Sequence, residues 1–161
     1  PRLGDREAAR DASRQPRRMI TPVGAMATAS ADETRTLCAR LLAFNQAHGG
    51  DAFDETPVRL AWHDEHGRLR GGVLADVCAG WLQVHVLWVD PELRGQGIGQ
   101  RLLAEAEAAA RQLGARNVML DTFDWQAEAF YLRQGYTVYG RLPDCPPGHE
   151  RIYLRKALSG S

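Results

Sequence analysis

Lysine is almost missing from this chain. Of its 20 basic residues only Lys156 is lysine; the rest are arginine, and 20 acidic residues bring the formal net charge to zero. A chain without a net field does not gather nucleic acid by bulk electrostatics, so any anionic ligand must be held by a local site. Serine is scarce as well, limited to Ser13, Ser30, Ser159 and Ser161, which leaves none in the body of the chain for hydrolase chemistry. The cysteines Cys38, Cys78 and Cys145 are few, odd in number and widely spaced, which implies no disulfide framework and suits a reducing cytoplasm. No Cys or His pair is joined by a second pair at ligand spacing, so no metal site is expected. The longest uncharged run, Val77–Val89, has 13 residues and includes Gly80, Gln83 and His85, too short and too polar for a membrane span. The expectation is a soluble, cytoplasmic protein with neither a membrane nor a nucleic-acid partner.

What is present is ordinary globular composition, 44% hydrophobic and 25% charged over 161 residues, enough for one domain with a real core. Residues 1–19 are rich in arginine and poor in large apolar side chains and read as a solvated leader; acidic Asp5, Glu7 and Asp11 argue against a transit peptide. Residues 20–158 read as a single domain and 159–161 as a loose tail. After a short apolar segment from Ile20 to about Ala29, a helix is predicted from Asp32 to about Ala47 with Leu37, Leu41, Leu42 and Phe44 on one side. Strands follow at Val58–His63, Leu69–Val77 and Trp81–Val89, a meander joined by polar turns. A long helix spans Gly99–Leu113 and stops at Gly114, and a strand covers Asn117–Thr122. Asp124 is placed as N-cap of a helix Trp125–Gln134, which Gly135 ends, and two last strands lie at Tyr136–Arg141 and Arg151–Leu158. The order predicts an α+β fold.

The most informative stretch is "VDPELRGQGIGQRLLAEAEAAARQLG", Val89 to Gly114, in which a strand hands over to a helix through Gly95, Gly97 and Gly99. Glycine lets the backbone turn tightly and lets a ligand approach main-chain N–H groups, and the first turn of the helix adds unpaired donors and a positive dipole end. The combination is an anion site, most naturally for phosphate or diphosphate. A nucleotide-triphosphate loop needs Gly-Lys-Ser/Thr, whereas Gly99 is followed by Gln100 and Arg101. A dinucleotide fingerprint needs G-x-G-x-x-G in a βαβ unit, whereas the spacing is G-x-G-x-G after a meander.

Arg94-Gly95-Gln96-Gly97-Ile98-Gly99 matches Arg/Gln-x-x-Gly-x-Gly/Ala and so resembles the acetyl-coenzyme A signature of the GNAT N-acetyltransferase superfamily. "AEAFYLRQGY", about 35 residues further on, is similar to that family's later helix. The similarity covers roughly Ala31 to Leu158. It implies a mixed, mostly antiparallel sheet flanked by helices and splayed where the cofactor binds, with acetyl-coenzyme A as co-substrate and an amine as acceptor. By the same resemblance the diphosphate rests on the amides of Gly95, Gln96, Gly97, Ile98, Gly99 and Gln100, with Arg94 shaping the loop or facing the phosphates. The pantetheine arm pairs with the strand segment Leu87, Trp88, Val89, and Tyr131 stands where the family keeps its general acid. Where the family often has an Asn contacting the arm, this chain has Asp124, which puts that contact in question. A homodimer is among the assemblies the resemblance brings with it.

Transfer from a thioester to an amine needs a neutral amine, a stabilised oxyanion and a proton for the thiolate. The oxyanion donor is expected to be a strand N–H near Leu87, freed by a bulge. Strict alternation places His85 on one face with Leu87 and Val89, the expected cofactor face, and two readings stand for it: a base for the acceptor, as in the arylalkylamine branch, or a core histidine. Trp62, Trp81, Trp88 and Trp125 read as core or sheet-face packing in preference to an aromatic cage for the acceptor. The loop "PDCPPGHER" offers His149 beside Asp144 and Glu150, either an acceptor border or a rigid turn, and Cys145 with His149 permits a covalent relay. A non-catalytic acyl-coenzyme A binding module is the alternative from another class.

Overall fold

The structure, a computed structural model, describes residues 27–158, the side chains of 51 and 52 aside. The expected leader, most of the apolar segment after Ile20 and the 159–161 tail lie outside the described residues. Residues 37–158 form one compact unit.

The first helix, α1, is Ala31–Gly49. Its start is a reciprocal cap: Ser30 Oγ accepts from the Glu33 amide at 3.2 Å while Glu33 Oε2 accepts from the Ser30 amide at 2.8 Å. The helix buries none of its side chains. Leu37, Leu41, Leu42 and Phe44, expected on one side of the helix, are all exposed, so local capping and backbone bonding hold α1 rather than a buried apolar face.

Six strands form one sheet in the order β1-β2-β3-β4-β6-β5, with β1 Thr56–His63, β2 Leu69–Cys78, β3 Trp81–Val89, β4 Asn117–Phe123, β5 Thr137–Pro143 and β6 Glu150–Ala157. β1, β2 and β3 are the expected antiparallel meander. The chain then crosses through α2, Ile98–Gln112, so that β4 returns parallel to β3. That parallel ladder is short: Trp81 to Val84 pair with Asn117 to Leu120 and no further. Beyond it β3 stays with β2, and β4 stays with β6 through Asp121, Thr122 and Phe123. The sheet therefore splays between its two halves, as the fold class requires.

One face of the sheet is dry. Val58, Val73, Ala75, Val77, Leu82, Val84, Val118, Leu120, Ile152 and Leu154 are buried with Leu102, Leu103, Ala106 and Ala110 of α2. Ala106 and Ala110 are fully buried, and their small side chains let the helix lie close to the strands. Each large aliphatic residue in this cluster contributes about 1.5–3 kcal/mol by burial. A buried ion triad adds a polar tie: Glu107 of α2 accepts from Tyr136 Oη at 2.8 Å and from Lys156 Nζ of β6 at 2.7 Å.

Candidate active site

The splay opens a cleft of about 910 Å³ lined from three sides. β3 contributes Val84 to Val89, the loop and first turn of α2 contribute Leu93, Arg94, Gly95, Gly97, Ile98, Gly99 and Gln100, and Leu120 to Thr122 with α3, Glu128–Arg133, and its approach supply the third wall.

The loop is built for exposed amides. Asp90 caps the short turn Pro91–Leu93 by accepting from the Glu92 amide at 3.1 Å, and Arg70 clamps the junction through Asp90 and Glu92. Gly95 and Gly97 have φ of 78° and 80°, a region that excludes most side chains. Gly97 is the N-cap of α2 and offers no side-chain cap, and the first turn carries no acid. The helix therefore presents uncapped N–H groups to the cleft, an anion site by geometry and dipole alike. Gly99 differs: it is not in the left-handed region, and a Cβ there would meet Val89 Cγ2 at 3.6 Å and Phe130 Cζ at 3.7 Å, ordinary contacts where the helix start packs. Arg94 lines the cleft and donates from Nε to the Val89 carbonyl at 3.1 Å, tying the loop to the end of β3. Gln96 turns away, donating to the Glu92 carbonyl at 3.3 Å, and its side chain is not part of the lining. Arg101 also turns away, lying over the Trp62 ring at 5.3 Å.

Tyr131 sits in α3 with 7% of its surface exposed and lines the cleft. Its ring packs edge-on to Phe130 and Tyr136, and its hydroxyl has no hydrogen-bond partner among the described residues. Burial, reinforced by the Asp121 carboxylate, pushes the phenol up to about 12. Asp121 itself lines the cleft and pairs with Arg151 Nε at 2.7 Å.

Two expectations on β3 are corrected by one feature. Leu74 pairs with Val86 while Ala75 pairs with Val84, so His85 is the extra residue of a β-bulge, two positions before the place expected near Leu87. The insertion resets the alternation. Leu82, Val84, Leu87 and Val89 pack toward α2, whereas Gln83, His85, Val86 and Trp88 are exposed on the opposite face. His85 thus shares no face with Leu87 and Val89. It still lines the cleft, and its Nε2 lies 2.8 Å from Asp76 Oδ2.

Asp124 is corrected as well. α3 starts later than expected, with Ala127 at its N-cap, because residues 124–127 form a turn in which Gln126 Oε1 accepts from Thr122 Oγ1 and the Phe123 amide. The Asp124 carboxylate is instead taken up by His149 Nδ1 at 3.1 Å and the Glu150 amide at 3.3 Å, and it is absent from the cleft lining. In the same loop Asp144 accepts from the Gly148 amide and Glu150 pairs with Arg141, so the 143–149 segment is a closed turn rather than a set of free carboxylates. Trp62 and Trp81 are half-buried, but Trp88 and Trp125 are 45% and 52% exposed and line opposite walls of the cleft, contrary to the packing reading. Trp125 stacks on Phe123 at 4.6 Å and meets His149 edge-on. Asp121, Gln126, Ala127, Phe130 and Arg133 are cleft residues that sequence reasoning missed; their signal was the parallel pairing of β3 and β4, which sequence alone does not display.

No group of three or more metal-ligating side chains occurs among the described residues, and no helix there is long and apolar enough to cross a membrane.

Comparison with known proteins gives a consistent result. Residues 26–136 match the acetyltransferase (GNAT) family. The chain is 47% identical over 95 residues to a blasticidin-S acetyltransferase of Streptomyces morookaense, which covers 58% of this chain and 70% of that protein. It is 32% identical over 128 residues to an acetyltransferase of Agrobacterium fabrum, covering 80% and 93% of the two chains. Among solved structures, an acetyltransferase from Bacillus cereus superposes with a TM-score of 0.78 at 30% identity, over 83% of this chain and 97% of that one.

Proposed function

Because the chain belongs to the GNAT family of acetyltransferases, we propose that it moves the acetyl group of acetyl-coenzyme A onto a primary amine of a small molecule, by direct attack of the amine on the thioester. The observation that carries this reading is the meeting of three features in one cleft: the uncapped first turn of α2, the edge of β3 past the splay, unpaired among the described residues, and the unpartnered hydroxyl of the largely buried Tyr131.

In this reading the diphosphate rests on the amides from Gly95 to Gln100, including those of Gln96 and Ile98. Arg94 shapes the loop through its bond to Val89. The pantetheine arm runs along the main chain of Leu87, Trp88 and Val89, whose edge facing away from β2 has no strand partner among the described residues. Asp124 takes no part in holding the arm, since its carboxylate secures His149. Main-chain N–H groups just past the bulge, around Leu87, are the candidates for the oxyanion.

The chemistry needs the acceptor nitrogen to lose a proton and the sulfur to gain one. His85 is assigned the first task, and Tyr131, in the position of the expected general acid, attends the sulfur. Pushed up to about 12, the phenol stays protonated throughout the working range. It is a weaker acid than an ordinary tyrosine, so it supports the departing sulfur, whose thiol titrates near 8.5, by donating a hydrogen bond as the C–S bond breaks.

The acceptor is a small-molecule amine, in keeping with the relative named for blasticidin S, and amine-bearing antibiotics are the first compounds to screen. The test is thiol release from acetyl-coenzyme A across an amine panel, with Tyr131→Phe alongside. Amine-dependent release that falls 10²-fold or more in Tyr131→Phe, with acetyl-coenzyme A affinity kept, is the expected result. Tight binding of acetyl-coenzyme A with no release for any amine would leave the chain a non-catalytic acyl-coenzyme A module.

A further inference from the structure

The bulge places His85 beside a carboxylate that is itself held from the other side. His85 Nε2 lies 2.8 Å from Asp76 Oδ2, while Asp76 Oδ1 lies 2.6 Å from Arg59 Nη2. Arg59 is anchored in turn, its Nη1 donating to the carbonyls of Val58 and Ala75. Both oxygens of Asp76 are therefore committed and the carboxylate cannot swing. Burial alone would raise this carboxyl, but the Arg59 hydrogen bond and charge, with His85 adding to them, hold it below its ordinary value. An ionised carboxylate only accepts hydrogen bonds, so the bond at 2.8 Å requires the proton to be on Nε2. In a neutral imidazole the lone pair is then on Nδ1.

We infer that Asp76 is a positioning residue that fixes His85 as the Nε2–H tautomer and so makes Nδ1 the atom that takes the acceptor's proton. The inference rests on the base role proposed above for His85. As the C–N bond forms and the C–S bond breaks, the attacking nitrogen gives its proton to Nδ1, and the products are the amide and the coenzyme A thiolate, hydrogen-bonded by Tyr131; Nδ1 then returns its proton to solvent, from which the thiolate takes one up. The charge that forms on the imidazole is matched by Asp76. The other charged side chains on this face near the splay are Arg59, already paired with Asp76, and Asp121, already paired with Arg151. His85 and Asp121 are the first residues past the last parallel pair, Val84 with Leu120, so they flank the apex of the cleft where an ammonium group would arrive.

The same geometry says what an isosteric amide would do. In Asp76→Asn the Arg59 donor selects the amide carbonyl, which turns the NH₂ group toward His85. Nε2 must then accept, the proton moves to Nδ1, and the base is lost. The experiment is two-bond ¹H–¹⁵N NMR of the imidazole in the wild-type chain and in Asp76→Asn, with kinetics on both and on His85→Ala. We expect an Nε2–H pattern in the wild type and an Nδ1–H pattern in Asp76→Asn. Turnover should fall roughly 10²-fold or more in Asp76→Asn, with the KM for acetyl-coenzyme A unchanged and no further loss when His85→Ala is added. An Nδ1–H pattern in the wild type, or an Asp76→Asn chain that keeps both tautomer and turnover, overturns the inference and leaves the base role standing. Full turnover in His85→Ala overturns the base role itself, and the inference with it.

Discussion

The glycines of the loop look alike in sequence, and the structure separates them into two kinds that alanine substitution distinguishes. Gly97 holds φ at 80° as the N-cap of α2, and a Cβ added to it meets nothing within 4 Å. Gly97→Ala therefore carries no steric clash and only the cost of a left-handed backbone, about 1–2 kcal/mol. At roughly 4 °C per kcal/mol for a domain of this size, the melting temperature drops by several degrees. If the loop relaxes toward an ordinary φ to relieve that strain, its amides rotate out of register with the diphosphate, and the KM for acetyl-coenzyme A rises, by about tenfold for each 1.4 kcal/mol of binding lost. Gly99 is not in the left-handed region, and its added Cβ would lie at 3.6–3.8 Å from Val89 and Phe130, ordinary contact distances. Gly99→Ala therefore leaves the loop in place and gains up to about 1 kcal/mol of helix propensity. Thermal melts with thiol-release kinetics give both readouts. Should Gly99→Ala be the more damaging in both, or Gly97→Ala be silent in both, the assignment of a conformational need to Gly97 and of none to Gly99 is wrong.

Tyr131 should show no titration in the working range. Its phenol is raised, so the protonated form is kept until the pH climbs through about 12, and the wild-type to Tyr131→Phe rate ratio should stay flat from pH 7 to 10; a ratio that collapses near pH 9 refutes this. The same sign makes the buried neutral phenol a source of stability that is fully present below its ordinary value near 10 and lost only as pH rises toward 12, which alkaline unfolding of the two chains would reveal. Lys156→Met takes from the carboxylate of Glu107, which is 4% exposed, its close cation and leaves it the Tyr136 hydroxyl and Arg111 at 3.9 Å, and should cost up to about 3 kcal/mol in urea unfolding. Adding Glu107→Gln should restore part of that, and additive losses would contradict a coupled triad. Trp125→Ala should raise the acceptor KM while sparing that for acetyl-coenzyme A, since the ring stands half-exposed in the cleft; equal effects on both would place it on the coenzyme side.

Much of the fold was legible because its signals are local. Trp81–Val89 has the expected bounds, α2 runs Ile98–Gln112 against an expected Gly99–Leu113, and Gly114 and Gly135 sit at φ of 83° and 85° just past their helices. The glycine loop was legible for the same reason, since positive φ and an uncapped helix start follow from residue type. The α1 stripe was not: Leu37, Leu41, Leu42 and Phe44 have helical spacing yet remain exposed, because periodicity reports where a helix could be covered and not whether anything covers it. Asp124 failed differently. Asp before an apolar helix is a good cap, but a histidine 25 residues later, on another strand's loop, competes for the same carboxylate.

The bulge at His85 shows why the site was harder to read than the fold. Side-chain period in a strand is two, so one inserted residue reverses every face beyond it. Counting from Trp81, strict alternation puts His85 with Leu87 and Val89; in the structure these two pack toward α2 and His85 stands opposite, against Asp76 and Arg59. No residue in "WLQVHVLWV" marks the insertion, since the bulge carries neither glycine nor proline. It is set by what lies on either side. β3 must pair with β2 along its whole length, but with β4 only as far as Val84, and the extra residue falls where the second partner is lost. One consequence reaches the chemistry. Had the alternation run unbroken from Leu82 and Val84, Val86 and Trp88 would have faced α2, and Leu87 and Val89 would have stood outside with His85. The inserted residue instead turns Leu87 and Val89 toward α2 and leaves Trp88 on the outer face with His85, so deleting Val86 should leave the imidazole exposed but remove the bulge that frees the main chain near Leu87, and should lower amine-dependent turnover even in chains that still fold.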